Sequence, residues 1–162
     1  MILVTVGGQM PFDRLVREVD DWCKSEPVHP DVFFQIGKAE YVPSTGRWVD
    51  YLKTSEFNEL VKDSSAIVSH AGMGSILTAL EAGKPILVLP RLGCLGETRN
   101  DHQVATANAL RKIGGIHVAM DETELRCKLS RIRDIQPGVS ISASASDTLL
   151  STIAGFIHGT TD

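Results

Sequence analysis

Seven residues, Ser69-His70-Ala71-Gly72-Met73-Gly74-Ser75, combine types and spacing suited to binding phosphate. They lie between the apolar run Ala66-Ile67-Val68, read as a buried strand, and a short helix ended by Gly83-Lys84-Pro85. The two glycines allow a tight turn, and Ser75 is expected to cap the helix carrying Ile76, Leu77 and Leu80. A helix start leaves its first N–H groups without intrahelical acceptors, and the helix dipole adds positive potential there. Strand, glycine turn and helix start together make a cradle for phosphate or diphosphate. His70, at the strand's carboxyl end, offers an imidazole N–H to such a group; the other reading of a lone histidine is a packed structural residue.

A second cluster is Gly96-Glu97-Thr98-Arg99-Asn100-Asp101-His102-Gln103. A solvated loop with an N-cap accounts for Asn100 or Asp101 but not for Gln103 directly after them. Amides and carboxylates at a helix start donate and accept in fixed geometry, which suits hydroxyl-rich ligands, and Arg99 can grip a phosphate or carboxylate bidentately. A sugar or a sugar acid fits this composition.

Other chemistries find no support. There is no Ser-His-Asp set, HExxH metal motif or P-loop lysine, and nothing resembles an activated nucleophile or a pair of Mg²⁺ carboxylates. No metal or cofactor is expected, and the base for attack on a sugar is not found in this polypeptide. Gly72-Met73-Gly74 lacks the third glycine of a dinucleotide fingerprint. The net charge of −4, without a Lys/Arg run, argues against nucleic acid, so partners should be small molecules or proteins. Cys23, Cys94 and Cys127 form no metal or disulfide pattern and read as ordinary semi-buried thiols of a reducing cytoplasm. The N-terminus does not read as a signal peptide, and no stretch approaches the roughly 20 apolar residues of a membrane span.

The elements that must position these residues follow from periodicity. Ile2–Val6 reads as a buried strand opening into Gly7-Gly8, and Phe12, Leu15, Val16, Val19 and Cys23 fall at helical spacing. Residues 32–36 form a second strand ending at Gly37. Arg47–Leu52 is either a third strand or an irregular loop. A short helix over Glu56–Lys62 precedes the strand at Ala66. Further strands are expected at Ile86–Leu89 and Ile116–Met120, with a helix from Asn100 or Asp101 to about Lys112 and a capping box at Asp121-Glu122-Thr123-Glu124. Residues 138–146 read as a loop, and Leu149, Ile153 and Ile157 mark one face of a terminal helix. With 43% hydrophobic residues in 162, the chain reads as one α/β domain. Its parallel sheet carries helices on both faces, a three-layer, Rossmann-like arrangement. Ligands of such sheets lie at the carboxyl ends of the strands, which puts Gly7-Gly8, Gly37, the 69–75 turn and the 91–103 loop on one rim.

Val68–Ser75, Gly83-Lys84-Pro85 and Asn100-Asp101-His102-Gln103 resemble the nucleotide-sugar half of family 28 glycosyltransferases, which have the GT-B fold. Val4–Gly8, Pro11–Leu15, Gln35-Ile36-Gly37 and Gly96–Asn100 narrow the likeness to the small subunit of two-component bacterial exopolysaccharide glycosyltransferases. These are relatives of the eukaryotic subunit that adds the second N-acetylglucosamine to dolichol-linked oligosaccharide. The likeness runs from about residue 1 to 113.

The resemblance implies a split, inverting enzyme. This half would bind a UDP-sugar, possible sugars including glucuronate. A membrane-associated subunit would supply the lipid-linked acceptor site and the base, recruiting the chain to the cytoplasmic face. His70, Gly72, Met73, Gly74 and Ser75 would hold the diphosphate. Gln103 matches the position that reads sugar hydroxyls, flanked by Asp101 and His102, with Gly7, Gly8, Glu97, Arg99 and Asn100 nearby. Family members place a ribose-binding glutamate where this chain has Thr78, and Glu81 lies nearly a turn later. A reading from another class is a non-catalytic nucleotide-sugar sensor. The Gly7–Pro11 rim and the terminal helix are candidate contacts for the missing half, although that helix could equally pack on its own sheet.

Overall fold

The computed structural model describes residues 1–138. Six strands, β1 (Ile2–Thr5), β2 (Val32–Gln35), β3 (Arg47–Val49), β4 (Ala66–His70), β5 (Ile86–Leu89) and β6 (Ile116–Val118), form one parallel sheet. Their order is β3-β2-β1-β4-β5-β6. Between them run α1 (Asp13–Ser25), α2 (Thr54–Asp63), α3 (Met73–Glu81), α4 (His102–Leu110) and α5 (Glu122–Leu129).

Continuous apolar strands need cover on both faces, because alternate side chains point opposite ways. Val4, Val68, Leu87 and Leu89 share a core with Leu15, Val16 and Val19 of α1 and Leu125 and Leu129 of α5. Leu3, Ile67, Ile86 and Val88 meet the opposite layer, Val61 of α2, Ile76, Ala79 and Leu80 of α3, and Ala107 and Leu110 of α4. This is the three-layer Rossmann-like arrangement expected. The chain winds outward from β1 to β3, then returns to β4 beside β1. Thr5 faces both Gln35 and Ser69 across that centre. The reversal opens a crevice between the carboxyl ends of β1 and β4.

Residues 47–49 are a short parallel edge strand, settling the alternative left open there. The chain reaches it through a loop held by Asp20 of α1. This buried carboxylate accepts from the Tyr41 hydroxyl at 2.5 Å, the Thr45 N–H at 2.8 Å and the Ser44 N–H at 3.1 Å, and pairs with Lys24 at 2.8 Å. Burial alone would raise its pKa, but these bonds hold it well below the usual carboxylate range.

α2 begins at Thr54, where the Glu56 carboxylate accepts the Lys53 N–H at 2.8 Å. At α5, Asp121 caps Glu124 as expected, while the Glu124 carboxylate takes the N–H of Met120. Only Cys23 is buried; Cys94 on a 3-10 turn (Gly93–Leu95) and Cys127 on the outer face of α5 are exposed, against the semi-buried expectation. The terminal helix at Leu149–Ile157 and all but Gly138 of the 138–146 stretch lie outside the described residues.

Candidate functional site

The turn after β4 is tighter than the sequence implies. Gly72, in extended conformation, is the residue that caps α3, and its N–H bonds back to the His70 carbonyl at 2.8 Å. The first helical bond runs from Ile76 N–H to Gly72 O at 3.2 Å, and no side chain caps the helix. Met73, Gly74 and Ser75 therefore present the N–H groups that have no intrahelical acceptor. Ser75 is corrected from cap to first-turn residue.

The His70 ring explains the early start. A Cβ at Gly72 would lie 2.1 Å from its Nε2, and one at Gly7, whose φ is +74°, would lie 2.8 Å from its Cε1. The ring is sandwiched between two glycine backbones, and the chain must turn immediately above it. Ser69 Oγ lies 3.2 Å from Nδ1. Burial, assisted by the positive charge of Arg91, pushes the imidazole down to about 4, so at neutral pH it is uncharged and carries one N–H.

A cleft of about 300 Å³ opens beside this helix start. Gly8 and Gly74 line it, and a Cβ at either would meet nothing within 4 Å. At these two positions a side chain would meet nothing; the glycines leave space. Gln35 closes the floor. Its Oε1 accepts from the Thr5 hydroxyl at 2.6 Å and the Gly7 N–H at 3.1 Å, and its Nε2 donates to the carbonyls of Gly7 at 3.1 Å and Asp50 at 2.8 Å. Gly7 N–H is thus already occupied. Tyr51, half-exposed, with Leu52 and Phe57, supplies an apolar, aromatic wall. A slightly larger cleft, about 330 Å³, lies around Met1, Asp31 and Ser65 at the amino ends of the strands. Among the described residues no helix start lines it, and ligands of such sheets bind at the other end.

The second cluster behaves differently. Glu97 receives Arg14 in a bidentate pair, 2.7 Å to each oxygen, and also accepts the Leu92 N–H at 2.9 Å. Asp101 stands at the start of α4 but its side chain accepts from Gly93 N–H at 2.8 Å rather than capping the helix. Asn100 Oδ1 contacts the ring of His102 and accepts its N–H. Gln103 is buried, with Oε1 taking the Arg91 N–H at 3.2 Å, so its amide N–H groups are what it can offer a ligand. Arg99 is exposed. Thr78 donates its hydroxyl to Gly74 O at 2.9 Å, one turn back in α3.

Hence Gly7, Gly8, Gly74 and Ser75 line the cleft and His70 packs against Gly7 and Gly72, while His70, Gly72, Met73, Thr78 and residues 97–103 do not line it. Sequence reasoning did not single out Thr5, Gln35, Tyr51, Phe57 or Arg91 as site residues. A polar residue ending a buried strand was the available signal for Gln35, and an arginine directly after Pro90 was the signal for Arg91. Among the described residues there is no cluster of three metal-ligating side chains and no helix long and apolar enough to cross a membrane.

UDP-N-acetylglucosamine transferase subunit ALG13 of Cryptococcus neoformans is 45% identical over 71 residues, 43% of this chain and 34% of that protein. The human protein of that name is 33% identical over 122 residues, 70% of this chain but 10% of its own length. The chain therefore spans about a third or less of these relatives. Among solved structures, MurG of Acinetobacter baumannii aligns with a TM-score of 0.64 at 18% identity, covering 94% of this chain and 48% of MurG, which shows the GT-B half-fold. The model of the glycosyltransferase family 28 C-terminal domain matches residues 1–136, and the chain belongs to that family.

Proposed function

We propose that this chain is the UDP-sugar-binding subunit of a two-component inverting glycosyltransferase. The observation that carries the reading is the uncapped start of α3, whose Gly74 and Ser75 line a glycine-bared cleft at the sheet's reversal point. A diphosphate accepts from Met73, Gly74 and Ser75 above the neutral His70 ring, while Tyr51 and Phe57 flank a flat base. The relatives are UDP-N-acetylglucosamine transferase subunits, which supports a UDP-sugar as donor and a second subunit as partner.

In the reaction an acceptor hydroxyl attacks the anomeric carbon, a new C–O bond forms, and the bond to the diphosphate oxygen breaks. The acceptor's proton passes to a base on the partner. This chain stabilises the charge growing on the leaving diphosphate with fixed N–H groups and the helix dipole. The relatives' names favour N-acetylglucosamine; glucuronate is favoured by exposed Arg99, and the residue likeness points to a lipid-linked acceptor of exopolysaccharide synthesis at the cytoplasmic membrane face.

Calorimetry with UDP, UDP-N-acetylglucosamine, UDP-glucuronate and UDP-glucose tests the donor site, and absence of UDP binding contradicts it. Transfer assays with a labelled donor and lipid-linked acceptor, chain alone and with its partner, test the split. Transfer by the pair alone supports it. Donor binding without transfer in any pairing favours the sensor reading.

A further inference from the structure

Arg91 follows β5 and Pro90 and is 4% exposed, although it bears a charge. Its guanidinium donates to the Val6 carbonyl at 2.8 Å and the Met10 carbonyl at 2.5 Å, bridging both ends of the loop that carries Gly7 and Gly8. Its Cζ lies 5.1 Å from the ring centroid of Phe12, and its backbone N–H goes to Gln103. Its Nε is buried without a partner among the described residues.

Nearby Arg14 shows what a structurally neutralised arginine looks like here. It stacks on the same Phe12 at 5.3 Å but has Glu97 bound bidentately and Glu122 at 3.5 Å. Arg91 bonds only uncharged carbonyls through its guanidinium. The carboxylate whose charge reaches it, Glu97, is already held by Arg14. A buried cation with neutral partners is unfavourable in an empty protein and favourable beside an anion. Its charge is felt at His70, the ring beneath both cradle glycines.

We propose that Arg91 is a positioning residue of the donor site, a buried cation behind the cradle that fixes the Val6–Met10 segment and supplies positive potential for the diphosphate without touching it. This rests on the donor-site reading above.

The test compares two variants that each keep a hydrogen-bond donor and differ in charge, Arg91→Lys and Arg91→Gln, titrated with UDP and with uridine. Arg91→Gln should lose about tenfold in UDP affinity and Arg91→Lys less than about threefold, with uridine affinity unchanged in both. A loss equal for UDP and uridine, or no loss in Arg91→Gln, overturns the proposal. If Arg91→Gln does not fold, the wild-type protein decides by NMR: the Arg91 Nε–H resonance should shift with UDP and stay with uridine, and a resonance indifferent to both overturns it. Wild-type protein that binds uridine and UDP equally contradicts the diphosphate cradle, and with it the role of Arg91. Normal wild-type preference for UDP with unaffected variants contradicts Arg91 alone.

Discussion

The turn at 70–75 and the loop at 91–103 follow neighbouring strands on one rim, yet they treat their polar groups in opposite ways. The turn has few polar side chains and leaves backbone N–H groups without acceptors, with glycines keeping the approach bare. The loop is rich in polar side chains and engages many of them internally, Glu97 with Arg14 and Leu92, Asp101 with Gly93, Gln103 with Arg91. Residue type alone would rank the loop as the better ligand site. Donor availability ranks the turn first, because a buried or organised N–H without an acceptor is favourable only when something fills it.

The comparison can be broken at its glycines and its ion pair. The largest effect is expected from Gly72→Ala, which drives a Cβ into the His70 ring and should destabilise by about 2–4 kcal/mol in urea denaturation. Combining it with His70→Ala should recover part of that loss, and strict additivity would show that the ring does not set the turn. Glu97→Ala leaves Arg14 partly buried beside Pro90 and should cost about 2 kcal/mol, while UDP affinity stays within about threefold. A large loss of UDP affinity with unchanged stability would return Glu97 to the ligand.

His70 gives the pH dependence. Its folded pKa lies near 4, below the ordinary 6.5, so between those values the unfolded chain holds more protons and acidification favours unfolding. The stability of the wild-type protein should therefore fall by about 2–3 kcal/mol from pH 6.5 to 4, and His70→Asn should flatten that slope. A steep slope surviving in the variant would assign it elsewhere. Asp20, with its lowered pKa, adds a separate loss as pH falls below the ordinary carboxylate range. The smallest effect on stability is a gain: Gly74→Ala removes a helical glycine where a Cβ meets nothing, raising stability by about 0.5–1 kcal/mol. The same methyl enters the cleft and should lower UDP affinity by about tenfold. Unaltered affinity would show that the bare surface has no ligand.

Strands β1, β2, β4 and β5 were legible because they are short, largely apolar runs closed by glycine or proline, the pattern of strands buried on both faces. The glycine turn was legible because glycines between a strand and a helix have few reasons to be there. Ser75 was misplaced as a cap because the constraint that starts α3 earlier is a ring packed between Gly7 and Gly72, a contact between segments far apart in the chain. Residues 38–53 stayed ambiguous because their order comes from Asp20 on α1, a tertiary anchor without local periodicity. Tyr51 was hidden for the same reason. Polar types in the 91–103 loop were visible, but their partners Arg14 and Arg91 emerge only once the loops are brought together.

Backbone amide NMR during a titration with UDP decides whether the start of α3 holds the diphosphate. The N–H resonances of Met73, Gly74 and Ser75 should shift strongly and saturably, while those of Leu92 and Gly93, held by Glu97 and Asp101, move little. Shifts concentrated in 91–103, with 73–75 unmoved, would contradict that role for α3.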